Sequence, residues 1–165
     1  MSIYVDIDNA CNADNIPDDN KFIHWVTSAL ENQRTRAEIA IRIVDEIESA
    51  ALNAQYRHKN IATNVLSFPS ELPEDCEPPI LGDLAICAAV VVREAQEQKK
   101  TCEAHWAHMV IHGSLHLLGF DHIEDADAET MEAHEIAILH ALGFANPYLE
   151  TLYLDNPLEE RRHHE

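Results

Sequence analysis

The sequence predicts an α+β domain in which a small mixed sheet of four strands packs with helices around one central helix. Short stretches that alternate apolar and polar residues, as half-buried strands do, are separated by longer stretches with helical spacing. The elements follow the order strand, helix, strand, helix, strand, strand, helix, helix, helix. One of the last helices is apolar almost all round, and a helix of this kind is buried in a core.

Two strands and two helices are predicted in the first part of the chain. Each strand alternates apolar and polar residues, and each helix follows an aspartate that can cap its amino end. In chain order they are the strand Ile3–Ile7, a helix from Asp18 or Asp19 to about Gln33, the strand Glu38–Val44, and a helix that follows Asp45 and carries Tyr56 and Arg57 near its end.

The remaining elements lie on either side of an acidic segment rich in proline, Ser70 to Pro79, which is predicted to be a surface loop. In chain order they are the strands Val65–Phe68 and Leu81–Cys87, a helix from Ala88 to about Lys100, the apolar helix that includes Trp106–Leu118, and a last helix from the acidic stretch Glu124–Glu129 to Leu142, where Gly143 stops it.

The chain length fits one domain. A chain of 165 residues, of which 46% are hydrophobic, can bury a core of its own. We predict that this domain covers residues 1–143. Residues 144–165, with two prolines and a charged ending, are predicted to form a loosely ordered tail.

The apolar helix leads into histidines that have the spacing of a metal site. His112 and His116 are four residues apart and lie on the same side of a helix. Gly119 can end that helix, so that the chain can bring His122 back to the pair. We predict that His112, His116 and His122 bind one Zn²⁺ ion and leave one coordination position open. Three imidazoles would also suit nickel or another divalent ion such as copper.

Two further histidines, His105 and His108, extend the same face of the helix. One ion cannot bind His108 together with His112 and His116, because these three residues span about 12 Å along a straight helix. Bonds from zinc to imidazole are only about 2.0–2.1 Å long. We therefore predict that His105 and His108 are ordinary core or surface histidines.

The charge balance argues against a general nucleic-acid binder. The chain carries 11 Lys and Arg against 30 Asp and Glu, which gives a net charge of −19. Such a chain repels polyanions at long range, so DNA is not an expected partner. The four cysteines form no C-x-x-C pair, and neither a signal peptide nor a run of about 20 apolar residues is visible. We therefore expect a cytoplasmic protein with reduced thiols and no membrane role.

Three stretches carry recognisable motifs: HGSLHLLGFDH from His112 to His122, LNAQYRHKNIATNVLSFP from Leu52 to Pro69, and LGDLAI from Leu81 to Ile86. They resemble, in the same order, motifs of the YbeY rRNA maturation factors, which are bacterial single-domain metal-dependent endoribonucleases. The similarity spans roughly Tyr4 to Gly143. Asn60, Ala62, Asn64 and Phe120 differ from the residues usual in the family, which are Asp, Pro, Asp and Tyr.

The resemblance implies a zincin-like fold built around the metal-bearing helix. It also implies a zinc-dependent endoribonuclease that cleaves single-stranded RNA in maturation of the small-subunit rRNA 3′ end and in ribosome quality control. Ribosomes or ribosomal proteins are then the expected partners. The arginine of the family's Y-R-x-K block is implicated in catalysis, so Arg57 is the matching catalytic residue, and Lys59 would add attraction for the substrate. Ser67 and Asp83 match family positions too.

Two other functions stay open at this point. The histidine spacing also occurs in metzincin peptidases, whose downstream methionine would be Met131, but those enzymes need H-E-x-x-H and this chain has Gly113 in place of the glutamate. A non-catalytic ribosome assembly factor with a structural metal would need a fourth ligand. Candidates for that ligand are Asp121, Cys87 and Cys102.

Overall fold

Four strands and five helices make up the part of the chain that the structure, a computed structural model, describes: residues 2–31, 33–34, 36–71, 79–119 and 125–148. In chain order they are β1 (Ser2–Asn9), α1 (Asp19–Leu30), β2 (Arg36–Val44), α2 (Glu46–Arg57), β3 (Val65–Pro69), β4 (Ile80–Cys87), α3 (Ala88–Glu97), α4 (Cys102–Leu117) and α5 (Asp125–Ala141). The predicted order of elements and the α+β fold class are confirmed. None of the described helices combines the length and apolar character needed to cross a membrane.

The sheet is mixed, as predicted, and its strands lie in the order β1-β2-β4-β3. β1, β2 and β4 are parallel, whereas β3 runs antiparallel to β4 and forms an edge of the sheet. Ile39, Ile41 and Ile43 of β2 are buried on one face of the sheet. The other face carries exposed charged side chains, among them Arg42 and Asp83. The sheet therefore separates the core from an open polar surface.

Helix α4 lies in the centre of the domain and packs against α1, α3, α5, β3 and β4. Trp106 is only 1% exposed and meets Phe22 of α1 edge to face, with ring centroids 5.7 Å apart. Ile111 and Leu115 are equally buried further along the helix. The prediction of a central buried helix is confirmed, and this burial holds the histidine side chains of α4 on a rigid element.

The aspartates predicted to cap the first two helices do so. The side chain of Asp18 accepts a hydrogen bond from the Lys21 backbone N–H, and the side chain of Asp45 accepts one from the Glu48 backbone N–H. Each aspartate satisfies a backbone donor that the helix itself cannot pair. Asp45 therefore defines the residue after which α2 begins.

Two helices end earlier than predicted, because a turn follows directly. Helix α1 ends at Leu30 rather than Gln33, and the Leu30 carbonyl accepts a hydrogen bond from the Gln33 N–H at 2.8 Å. Helix α3 ends at Glu97 rather than near Lys100. Lys99 has a φ of 56°, the left-handed conformation that interrupts the helical ladder.

The chain stays packed against the domain beyond Gly143, which ends the turn after α5 with a φ of 93°. The ring of Phe144 meets Trp25 edge to face, with centroids 6.4 Å apart, and Tyr148 is 4% exposed. These residues fall in the segment predicted to be a loose tail, and apolar burial holds this part of it in place. Residues 149–165 lie outside the described residues.

Candidate active site

A row of four histidines follows one face of α4. Consecutive ring centroids of His105, His108, His112 and His116 lie 6.0, 6.1 and 4.7 Å apart. His105 and His108 are each 1% exposed, so the first half of the row is inside the protein. His112 and His116 are half-buried and reach a groove on the surface. The row therefore runs from the core to solvent.

The pair predicted to bind metal is brought together at the open end of this row. The Nε2 atoms of His112 and His116 are 3.2 Å apart. Two ligand atoms of a tetrahedral zinc ion, each bonded at about 2.0–2.1 Å, lie about 3.3 Å from each other. The two imidazoles are thus spaced as two ligands of one ion would be. His122, the third predicted ligand, lies outside the described residues.

A glutamate from α5, Glu135, reaches the same row and is buried. Its Oε1 accepts a hydrogen bond from His108 Nε2 at 2.6 Å and one from the Tyr148 hydroxyl at 3.0 Å. The same oxygen lies 3.2 Å from His112 Nδ1. His108, His112 and Glu135 each offer a ligand atom within 4.8 Å of the others, so this group could also bind a metal ion. His108 is a core histidine, as predicted, but one that contacts the candidate site.

Burial and hydrogen bonding set the charges in this group. Desolvation raises the pKa of Glu135, but the hydrogen bonds and Coulombic attraction of His108 and His112 outweigh it, so the pKa lies well below its usual range. Desolvation lowers the pKa of His108 to about 4, against the opposing effect of Glu135. Desolvation likewise lowers the pKa of His105, although its Nε2 lies 2.8 Å from Glu94 Oε1. At neutral pH an ionised Glu135 therefore accepts a hydrogen bond from the Nε2–H group of a neutral His108.

Glu135 was not predicted, because it is one of 30 acidic residues and α5 begins in a run of them. The four-residue spacing of apolar residues on either side of Glu135 could have indicated that it is buried. Met131 and Leu139, four residues before and after it, are each 1% exposed, so Glu135 lies in the middle of a buried apolar stripe. A carboxylate at such a position requires partners, since burying an unpaired charge is costly.

The open face of the sheet forms the floor of a groove of about 940 Å³. His112 and His116 lie in its wall, and so do Tyr56 and Arg57 at the end of α2. The acidic side chains that line it outnumber the arginines, which are Arg42 and Arg57. These acids are Asp6, Asp8, Glu48, Glu71 and Asp83. The metal-site histidines and Arg57 thus share one groove, and that groove is acidic overall.

The two arginines of the groove differ in their surroundings. Arg42 forms ion pairs with Asp8 at 2.8 Å and with Glu48 at 2.7 Å. Arg57 is exposed and has no ion pair with any of the described residues. Its guanidinium is therefore available to an anionic ligand. Lys59, the other predicted substrate-binding residue, is exposed but does not line the groove.

Three other residues of the recognised motifs also lie near this groove. Ser67 donates a hydrogen bond from Oγ to the Gly113 carbonyl at 3.2 Å and so ties β3 to α4. Asn64 donates from its amide to Glu94 at 3.0 Å. Asp83 is exposed on the groove floor. Ser67 thus links β3 to α4 and Asn64 links the start of β3 to α3, whereas Asp83 faces the cavity.

Gly113 sits at the contact between α4 and the sheet rather than in the groove. A Cβ atom on this residue would lie 2.8 Å from Leu84 Cδ2 and 3.1 Å from Val65 Cγ2. The position therefore faces the core side of β3 and β4. A glutamate here, the general base that a metzincin requires, would be buried against the sheet and could not reach a substrate.

We expect Gly113→Ala to lower the free energy of unfolding by about 1–2 kcal/mol, because the overpacking cost exceeds the gain in helix propensity of about 1 kcal/mol. Urea unfolding followed by tryptophan fluorescence measures this change. Leu84→Val removes a methylene from the closest neighbour, so the double variant should recover part of the loss relative to the sum of the two single changes. A Gly113→Ala protein as stable as the parent would contradict the tight contact.

The structure is similar to the solution structure of a protein from Thermotoga maritima, with a TM-score of 0.53 and 24% identity, over 85% of this chain and 91% of that one. This likeness concerns the fold alone. The family model described as Endoribonuclease YbeY matches residues 6–143, which include α2, α4 and all the histidines of the row. The chain belongs to the YbeY endoribonuclease family.

Proposed function

We propose that this protein is a zinc-dependent endoribonuclease that cleaves single-stranded RNA in the cytoplasm, in maturation of the small-subunit rRNA 3′ end and in ribosome quality control. The observation that carries this proposal is the single groove shared by Arg57 and the His112–His116 pair. Family membership supplies the reaction class, since the family is one of endoribonucleases. The expected partners are rRNA and ribosomes or ribosomal proteins.

In this proposal His112, His116 and His122 hold the metal ion. Three neutral imidazoles leave the full double charge of zinc in place, and the bound ion supplies Lewis-acid stabilisation of negative charge at a phosphoryl oxygen. The spacing of 3.2 Å between the Nε2 atoms of His112 and His116 fits adjacent ligands of such an ion. Nickel or another divalent ion would fit the same donors.

Arg57 is proposed to bind and stabilise the reacting phosphate. A guanidinium is always charged and presents planar donors that match two phosphate oxygens at once. Arg57 lies in the groove wall with His112 and His116, and it forms no ion pair with a described acidic side chain. Lys59 is exposed two residues further on, and we propose that it attracts the RNA outside the groove.

The acidic lining of the groove supports a dependence of RNA binding on basic partner proteins. Arg42 is already neutralised by Asp8 and Glu48, so Arg57 is the groove arginine left to attract a phosphate backbone. The remaining lining acids repel RNA, as does the net charge of −19. Basic ribosomal proteins would supply the missing attraction. We therefore propose that the enzyme acts on RNA presented by the ribosome more efficiently than on free RNA.

An assembly factor with a structural metal is less well supported. Its site would need a fourth protein ligand, and Cys102 begins α4, about 21 Å along the helix from His116. Cys87 is buried in a separate small cluster with Val44 and Val90. Asp121, the remaining candidate, lies outside the described residues.

The proposal is tested with purified protein and four substrates: single-stranded RNA, the same RNA as a duplex, single-stranded DNA, and casein. We expect cleavage of single-stranded RNA that stops when a chelator removes the metal and returns when zinc is added. Casein cleavage would favour the peptidase instead. A zinc-loaded protein that cleaves none of the four, even when 30S ribosomal particles are supplied, would favour the assembly factor.

A further inference from the structure

The carboxylate of Glu135 joins α5 to the buried half of the histidine row. Its Oε1 lies 2.6 Å from His108 Nε2, 3.0 Å from the Tyr148 hydroxyl and 3.2 Å from His112 Nδ1. The side chain is 1% exposed. None of these contacts reaches His116, so the carboxylate acts on one member of the proposed ligand pair.

The two nitrogens of the His112 ring have different partners. Nδ1 faces Glu135 Oε1, and Nε2 faces His116 Nε2, each at 3.2 Å. The same oxygen already accepts hydrogen bonds from His108 and Tyr148, so the His112 nitrogen that faces it is the one that carries the ring proton. The lone pair is then left on Nε2, directed towards His116 and the place where a shared ion would bind.

We infer that Glu135 is a positioning residue, which fixes the orientation and tautomer of His112 so that Nε2 is presented to the metal ion. This inference rests on the proposed function, in which His112 is a metal ligand. Carboxylates that hold the second nitrogen of a ligand histidine are a general feature of metal sites, because they set both the tautomer and the basicity of the ring.

The geometry favours this role over direct coordination by Glu135. Two ligand atoms of one tetrahedral zinc ion lie about 3.3 Å apart. The 2.6 Å between His108 Nε2 and Glu135 Oε1 is too short for two ligands and is the length of a strong hydrogen bond. The other carboxylate oxygen, Oε2, is buried and has no hydrogen-bond partner among the described residues. Direct binding of the metal ion by Glu135 would therefore have to use Oε2.

Two neighbours hold the carboxylate in place. The Tyr148 hydroxyl donates a hydrogen bond to Oε1, and its oxygen lies 3.3 Å from His108 Nε2. Tyr148 comes from the segment after α5, so this segment closes the buried end of the row. His108 and Tyr148 therefore support Glu135, and Glu135 supports His112.

The test compares Glu135→Gln with Glu129→Gln, the same change at an exposed position of the same helix. Zinc affinity is measured by competition with a chromophoric chelator, and the His112 tautomer by ¹⁵N NMR of the metal-free protein. An amide can donate as well as accept, so it no longer fixes the ring. We expect Glu135→Gln to bind zinc about 10–100-fold more weakly, still with one ion per chain, and to lose the single Nδ1–H tautomer.

Two results overturn the inference. Equal zinc affinity in the two variants would show that Glu135 does not position His112, and complete loss of the ion at saturating zinc would make Glu135 a ligand. Should Glu135→Gln not fold, Tyr148→Phe, which removes one hydrogen bond to the carboxylate, decides the matter. Tyr148→Phe should also weaken zinc binding, but by a smaller factor than Glu135→Gln. Unchanged zinc affinity in Tyr148→Phe would overturn the inference.

RNA cleavage is not a readout of this test, so the two proposals fail separately. Weaker zinc binding by Glu135→Gln in a protein that cleaves no RNA would support the inference and contradict the proposed function. Metal-dependent RNA cleavage by the parent protein, with equal zinc affinity in Glu135→Gln and Glu129→Gln, would support the proposed function and contradict the inference.

Discussion

His116→Ala is expected to lose both bound zinc and RNA cleavage. The substitution removes one of two imidazoles whose Nε2 atoms are 3.2 Å apart, and a site with fewer than three protein ligands does not retain zinc at ordinary concentrations. The side chain is half-buried at the groove, so its loss should leave the folded core intact. Zinc content after dialysis and cleavage of single-stranded RNA are the measurements.

His24→Ala is the matched control, because His24 is exposed on α1, outside the groove. It should keep one zinc ion and full activity. Retention of the ion by His116→Ala would contradict the ligand assignment. If the ion then left on His108→Ala, the metal would instead lie in the group formed by His108, His112 and Glu135.

Arg57→Ala is expected to keep the zinc ion and the fold while lowering turnover of RNA about 10²–10³-fold, the usual cost of removing one donor that stabilises transition-state charge. Arg57 is the last residue of α2 and is exposed, so little packing is lost. The loss should appear in kcat as well as in kcat/KM, because an interaction made mainly in the transition state affects both.

Two further variants isolate the role of the guanidinium. Arg57→Lys keeps the charge but not the planar pair of donors, so activity should recover only in part. Arg93→Ala removes an exposed arginine of α3 that pairs with Glu46 at 3.5 Å outside the groove, and it should leave turnover unchanged. Unchanged turnover in Arg57→Ala would show that Arg57 is an ordinary solvent-exposed arginine at the end of a helix.

The local features of the site were predictable because they depend on short-range geometry. The four-residue spacing of His112 and His116 fixes their shared helix face, whatever the rest of the fold does. The aspartates before α1 and α2 cap those helices through contacts within one turn. A functional role for Arg57 was predicted only from the family motif. An arginine at the end of a helix is ordinarily exposed to solvent, and no sequence pattern marks it as part of a site.

The sequence by itself determined the elements, their order, the histidine pair and the α+β class, since periodicity and capping are properties of neighbouring residues. Tertiary structure alone decided the strand order, the tight packing at Gly113 and the contact of Glu135 and Tyr148 with the histidine row. These features depend on which distant surfaces meet. A buried carboxylate 23 positions after His112 looks, in the sequence, like any other acid of this acidic chain, and only the packing of α5 on α4 makes it a partner of the site.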